Sequence, residues 1–337
     1  VVSRERLEAV TKPLLLYAEH TWGHSHSWSH PWDELVQRTF LRKIKYAIEA
    51  DERANDALLD VLKSRGEGDF VVDRPFRYKI INPLDTSCKD AVELHVDFWE
   101  TSKLAECGLR VRDDLGREYA HQVTPSKRGQ AVVVVAELAA KEERVLEFEF
   151  RDRAGARPKG ETAAAGEAEG CFENPYYRIR WDGAKGIVSL IEKTSGRELL
   201  AAGEPPLGSP VYQLFPNGER RAPAGYMHRP RTIPRSVKSF GTLLSAEVKE
   251  AGPLFTVLEL HYAVDGALEY TARFKLYRDL PHIALNIRLA KTLVKDPEGM
   301  YAAFPLAVPG GVWHLDKAGA AIRPGVDQLP GTCTDYY

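Results

Sequence analysis

Four histidines and three tryptophans crowd one short stretch of the chain: His20, His24, His26 and His30 alternate with Trp22, Trp28 and Trp32. Neutral imidazole is a common zinc ligand, with carboxylate or water filling the remaining positions. His24-Ser25-His26 sets two imidazoles two residues apart, a spacing that suits a strand or loop and not one helix face. His20 and His24 stand four apart, but Gly23 lies between them and weakens any shared helix. Neither pair is an H-E-x-x-H signature. The same histidines also read as polar loop residues beside a domain interface. The tryptophans serve either as interface packing or as platforms for sugar rings. Glu19, next to His20, could orient a ligand or share a proton. There is no G-x-S-x-G, no Walker-type loop and no G-x-G-x-x-G leading into a helix.

Elements must position this cluster. From Asp33 to Leu62, apolar residues recur at three- and four-residue steps, which predicts a long amphipathic helix. Pro31 and Asp33 suit its start, and Gly66 and Gly68 its end. Glu5 to Val10 reads as a short amphipathic turn. Residues 1–65 are thus a helical segment that cannot close a core alone and must dock on something else. After it the period changes. Val92-Leu94-Val96-Phe98 and Leu146-Phe148-Phe150 alternate with polar residues, and Ala131 to Ala136 is a β-branched run suited to a buried strand. Residues 66–152 therefore read as a small antiparallel sandwich.

Residues 153–170 lack large apolar side chains and read as a linker. Residues 171–337 are β again: Tyr177-Ile179-Trp181, Leu258-Leu260-Tyr262, Tyr270 to Leu276 and Ile283 to Leu289 all alternate. Leu207 to Pro234 is loop-like and carries Tyr212, Tyr226, Met227 and His228. A loop of that length inside a compact β domain points to function. Its Arg220, Arg221, Arg229, Arg231 and Arg235 read as a solvated patch before an anion site.

Composition narrows the classes. A formal net charge of -2 gives no field for gathering nucleic acid or anionic lipid. No apolar run approaches the ~20 residues that span a bilayer. Four scattered cysteines without C-x-x-C spacing favour reduced thiols and a cytoplasmic setting. The chain starts at Val1 and stops at Tyr337 in the manner of a piece cut from a longer protein.

Phe172-Glu173-Asn174-Pro175-Tyr176-Tyr177, then Gly186-Ile187-Val188-Ser189-Leu190 and Gly196-Arg197-Glu198-Leu199-Leu200, resemble the opening of the large β domain of glycoside hydrolase family 38, the α-mannosidases. Leu276 to Pro281 and Glu298 to Leu306 resemble two further segments of that domain, and Arg74-Pro75-Phe76 to Leu84 more loosely the start of its small β domain. The resemblance implies a mainly β chain with an N-terminal helical segment. A small antiparallel β-sandwich would be followed by a large, galactose-mutarotase-like β-supersandwich, truncated at its C-terminus. It implies that His20 is a zinc ligand, although Thr21 follows it where the family usually has Asp. It places Trp22, Trp28 and Tyr226 at the substrate. The other zinc ligands and the nucleophile would belong to a preceding α/β barrel. The expected function is the C-terminal portion of a retaining, carbohydrate-cleaving hydrolase, inactive by itself. The partners would be a carbohydrate, that barrel and a possible second copy of the chain, with no nucleic acid and no membrane. The alternatives are a carbohydrate-binding module, with Tyr212, Tyr226 and Trp313 as stacking rings, or a purely structural sandwich.

Overall fold

The computed structural model describes residues 2–19, 23–27, 30–67, 76–101, 104, 107–152, 170–203, 205–216, 236–307, 309–317 and 319–328. The chain is mainly β, with 47% strand and 19% helix. It divides into two compact units. One is Val1–Phe76 with Phe215–Ser236 and Val294–Pro297; the other holds everything else. The 153–169 part of the expected linker lies outside the described residues, as do 217–234 of the long loop, Arg235 and Arg74-Pro75.

The first unit is built on two antiparallel helices, α1 (Arg4–Ala18) and α2 (Glu34–Ser64). Helix α1 runs well beyond the short turn expected at Glu5 to Val10, because packing on α2 overrides its weak apolar pattern. Pro13 is its buried residue and faces inward. Helix α2 starts where the sequence expects: the Asp33 side chain accepts the Leu35 amide at 2.9 Å and caps it. Three polar staples fix the antiparallel pairing. Arg6 meets Asp60, Arg53 donates to the Ala9 carbonyl at 2.9 Å, and Lys43 donates to the Leu16 carbonyl at 2.7 Å.

The second unit begins with a sandwich. Its first sheet runs in the order β1 (Arg77–Ile81), β7 (Glu143–Asp152), β3 (Cys107–Asp113), β4 (Glu118–Tyr119). Its second runs β2 (Cys88–Asp97), β6 (Gly129–Leu138), β5 (His121–Ser126). Ile80, Val111, Leu146 and Phe148 on one sheet and Leu94, Val96, Val132 and Val134 on the other are buried. The Ala131 to Val134 run is sealed on both faces, which fits its lack of alternation. Strand β2 stops at Asp97, so Phe98 turns out to solvent beside Trp99 and does not continue the inward row.

The larger sandwich packs the sheet β11 (Arg197–Glu198), β10 (Gly186–Glu192), β9 (Tyr177–Asp182), β8 (Cys171–Glu173) on the sheet β14 (Thr242–Ala251), β15 (Phe255–Ala263), β16 (Ala267–Tyr277), β17 (Ile283–Lys291). Phe172, Tyr177, Ile179 and Ile187 meet Leu258, Leu260, Phe274 and Leu276 in its core. A third sheet, β13 (Val237–Phe240), β12 (Pro210–Leu214), β18 (Glu298–Ala302), flanks it, and β19 (Leu315–Lys317) pairs with β20 (Ala320–Ile322). The other face of β15 presents Phe255 and Val257 to Val133, Val135 and Ala91 of the small sandwich. The two sandwiches therefore share strand β15. At this joint Gln122 accepts the Leu254 and Phe255 amides, each at 3.1 Å, and donates to Glu250 at 2.7 Å. A Cβ at Gly252 would stand 2.3 Å from the Gln122 side chain, so a larger residue there would displace Gln122 from its bonds. Cys88 and Cys171 are free thiols.

Candidate functional site

The loop between α1 and α2 gathers His24, His26 and His30. A 3₁₀ turn at Ser25–Ser27 closes with the Ser27 amide on the His24 carbonyl, 2.9 Å. The His30 amide reaches the His26 carbonyl at 2.8 Å, and the Asp33 amide the His30 carbonyl at 3.0 Å. These bonds set the rings of His24 and His26 5.0 Å apart edge to face, and those of His26 and His30 5.9 Å apart. Beside them lies an open groove of about 540 Å³ whose walls include His24, Pro31, Trp32, Val36 and Phe40. Its floor is fixed by Gln37, which donates to the Pro31 carbonyl at 2.7 Å. Trp32 is 53% exposed and offers an accessible indole face. Imidazole edges beside an aromatic wall can bind the apolar face of a ring while hydrogen-bonding its hydroxyls.

The residues the sequence ranked highest are not among those described: His20, Trp22, Trp28 and Tyr226 all lie outside the described residues. Among the described residues no group of three or more histidines, cysteines or carboxylates is disposed to hold a metal ion. The Nδ1 of His24 accepts the His26 amide at 3.2 Å. The described donors do not by themselves fit a zinc site. Glu19, the expected companion of His20, has another attachment. It forms an ion pair with the buried Lys43 at 2.5 Å and fastens the end of α1 to α2. Tyr212, read as a stacking ring, is buried at 4% exposure and donates its hydroxyl to Glu298 at 2.7 Å. Trp313 stands exposed.

Sequence reading missed a polar cluster on the wet face of β15 and β16. Strand register puts Glu259 opposite Arg273 and His261 opposite Thr271. Glu259 lies 2.8 Å from His261 Nε2 and 2.9 Å from Arg273 Nε, and Thr271 Oγ1 is 3.1 Å from His261 Nδ1. The Thr-His-Glu order resembles a nucleophile relay. Thr271, however, is 1% exposed, so no substrate carbon can reach its hydroxyl. The cluster is a cross-strand ladder that closes the sheet surface. Its signal in the sequence is the polar alternation of Glu259-His261 against Thr271-Arg273, which needs the register to become visible.

The segments 172–200, 276–281 and 298–306 form a framework. Asn174 donates to the carbonyls of Tyr277 (2.8 Å) and Leu280 (3.2 Å) and accepts the amides of Tyr176 (2.9 Å) and Tyr177 (2.8 Å). Glu198 accepts from Ser189 Oγ at 2.6 Å and from the amides of Leu190 and Leu200 at 2.8 and 3.0 Å. Burial pushes its carboxyl pKa up, but those donors outweigh burial and hold it below the usual range. In the turn between β10 and β11, Ser195 and Thr194 hold the Glu192 carboxyl down at about 2. The segment ending at Leu200 then pairs with the one ending at Leu306. Leu200 bridges Leu306, the Ala201 amide donates to Pro305, and the Ala307 amide donates to Leu199, both at 2.8 Å.

No protein-family model matches the chain, and no curated protein matches it.

Proposed function

We propose that this chain is the scaffold and part of the substrate rim of an α-mannosidase-like retaining glycoside hydrolase, inactive without a preceding catalytic domain. The observation that carries the reading is the meeting of its three family-like segments. Residues 172–200, 276–281 and 298–306 are far apart in sequence, yet the first meets the second through the Asn174 side chain and the third through the Leu200–Leu306 bridge, flanked by the Ala201 and Ala307 amides. Chance matches scattered along a chain have no reason to converge on one framework. A purely structural module would need the same bonds, but it would not need an exposed imidazole and indole cluster at a helix-hairpin tip.

In this reading the hairpin tip faces the glycone or the sugar beyond it. Trp32 stacks on the ring, and His24 hydrogen-bonds hydroxyls at the groove edge. By the resemblance, His20 would ligate zinc and Trp22, Trp28 and Tyr226 would contact the substrate. Zinc, held by His20 together with the catalytic domain, would fix sugar hydroxyls and stabilise charge when bound. The nucleophile and the acid/base carboxyl belong to the missing domain. The chain's own residues bind, orient and exclude water.

The test is aryl α-mannoside hydrolysis by this chain and by the same chain extended through its upstream coding sequence. Turnover by the extended protein alone is expected. Turnover by the 337-residue chain overturns the division of labour. Silence of both overturns the substrate class.

A further inference from the structure

The register of the three-stranded sheet β13, β12, β18 decides which side chains stand on its open face. Val211 on β12 is paired with Phe240 on β13 and with Tyr301 on β18, so the three form one row across the strands. Two residues along, Gln213 is paired with Lys238 on one side and Gly299 on the other. Residues paired across strands share a face, and so do residues two apart along a strand. Tyr301 is 52% exposed and Phe240 58%. Tyr212, between Val211 and Gln213, points to the opposite face and is buried.

The Tyr301 ring does not stand up from this face. A Cβ on Gly299 would lie 2.5 Å from the Tyr301 hydroxyl and 2.7 Å from two of its ring carbons, so the ring leans back along its strand over the glycine. Its hydroxyl reaches to 3.4 Å from Gln213 Oε1. The ring is thus laid along the sheet before anything binds, which lowers the ordering cost of binding. Phe240 offers a second ring two strand spacings away, about 10 Å. Lys238 brings an ammonium donor to the same face.

The make-up of the face says what it fits. Its paired positions extend about 10 Å across the strands and about 7 Å along them. A stable protein contact covers far more, roughly 800 Å² per partner. Separated aromatic rings with an ammonium and a phenol hydroxyl beside them match a sugar chain. Its C–H faces lie on the rings while its hydroxyls hydrogen-bond at the edges. An open, flat face takes an extended chain of sugars and not an enclosed single ring.

We propose that this face is a carbohydrate-binding surface for an uncharged oligosaccharide lying across the strands. Tyr301 and Phe240 sit under its rings, and Lys238 and the Tyr301 hydroxyl meet its hydroxyls. The surface uses none of the residues of the hairpin groove, so it stands or falls separately from the hydrolase reading.

Affinity electrophoresis of the 337-residue chain through gels carrying soluble xylan, β-glucan or α-mannan tests this. Retardation by at least one of these polysaccharides is expected. Tyr301→Ala and Phe240→Ala should each abolish it with unchanged far-ultraviolet circular dichroism, since both side chains are exposed. Gly299→Ala keeps both rings but lifts Tyr301 off the sheet, and should weaken retardation as well. Trp32→Ala, in the hairpin groove, should leave retardation unchanged. Migration unaffected by all the polysaccharides overturns the proposal, as does retardation that persists in Tyr301→Ala or is lost in Trp32→Ala. So does a chain that sediments at the mass of two copies and returns to one with Tyr301→Ala, which would make the face a protein contact.

Discussion

Asn174 shows how much a single side chain carries in this molecule. It makes four hydrogen bonds, two to the carbonyls of Tyr277 and Leu280 at and just past the end of β16 and two to the amides of Tyr176 and Tyr177 at the entry to β9. Replacing it with alanine strands buried donors and acceptors at about 1–3 kcal/mol each before relaxation. Asn174→Ala is therefore expected to lower stability by roughly 3 kcal/mol, read as a shifted urea midpoint at constant slope. A change under about 0.5 kcal/mol would mean water replaces the amide fully. Glu198 makes a second prediction at this scale. Its folded pKa lies below the unfolded value, so its contribution is present above the unfolded pKa and is lost as pH falls through the folded one. Wild type should be more stable than Glu198→Gln at pH 7, and the two unfolding midpoints should converge in acid. A gap independent of pH from 7 to about 3 would show that charge is not the cause. Nothing in the sequence marks either side chain as a framework bond. Composition sees an Asn-Pro turn and a surface glutamate; only the fold brings Tyr277, Leu280 and Ser189 to them.

At the scale of elements, long-range packing decides what local pattern leaves open. The long helix was legible from Asp33 onward because its cap and its period agree. The helical character of residues 1–65 was legible too, but not the extent of α1, since its apolar residues keep no clear helical period, Pro13 sits inside it, and its fifteen residues hold only against a partner. The joint between the sandwiches was also invisible: Gln122 and Gly252 stand 130 residues apart and meet only through β5 and β15. Gly252→Ala is expected to destabilise the joint, because its Cβ would overlap the Gln122 amide. The chain's melting temperature should fall, and hydrogen exchange in β15 should rise more than in β1. Equal rates in both strands would mean the joint is not the site of the strain. Likewise Lys43→Met should cost about 1–3 kcal/mol by releasing Glu19 and the Leu16 carbonyl at the base of the histidine loop.

For the molecule as a whole, the sequence makes the mainly β class legible through alternation, and the structure adds that the two sandwiches share β15. The candidate site was legible as a cluster of types, not as a geometry. His24, His26, His30 and Trp32 come together at the hairpin tip through backbone turns that residue spacing alone does not specify. The proposal is of a double sandwich and a helical hairpin whose tip carries a small imidazole and indole rim, with the bond-breaking carboxylates supplied from elsewhere. The most direct measurement is the rate of aryl α-mannoside hydrolysis by the protein extended through its upstream coding sequence, set against the chain alone. The account predicts turnover only in the extended protein, reduced when Trp32→Ala is introduced. Hydrolysis by the chain alone, or none by the extended protein, would contradict it.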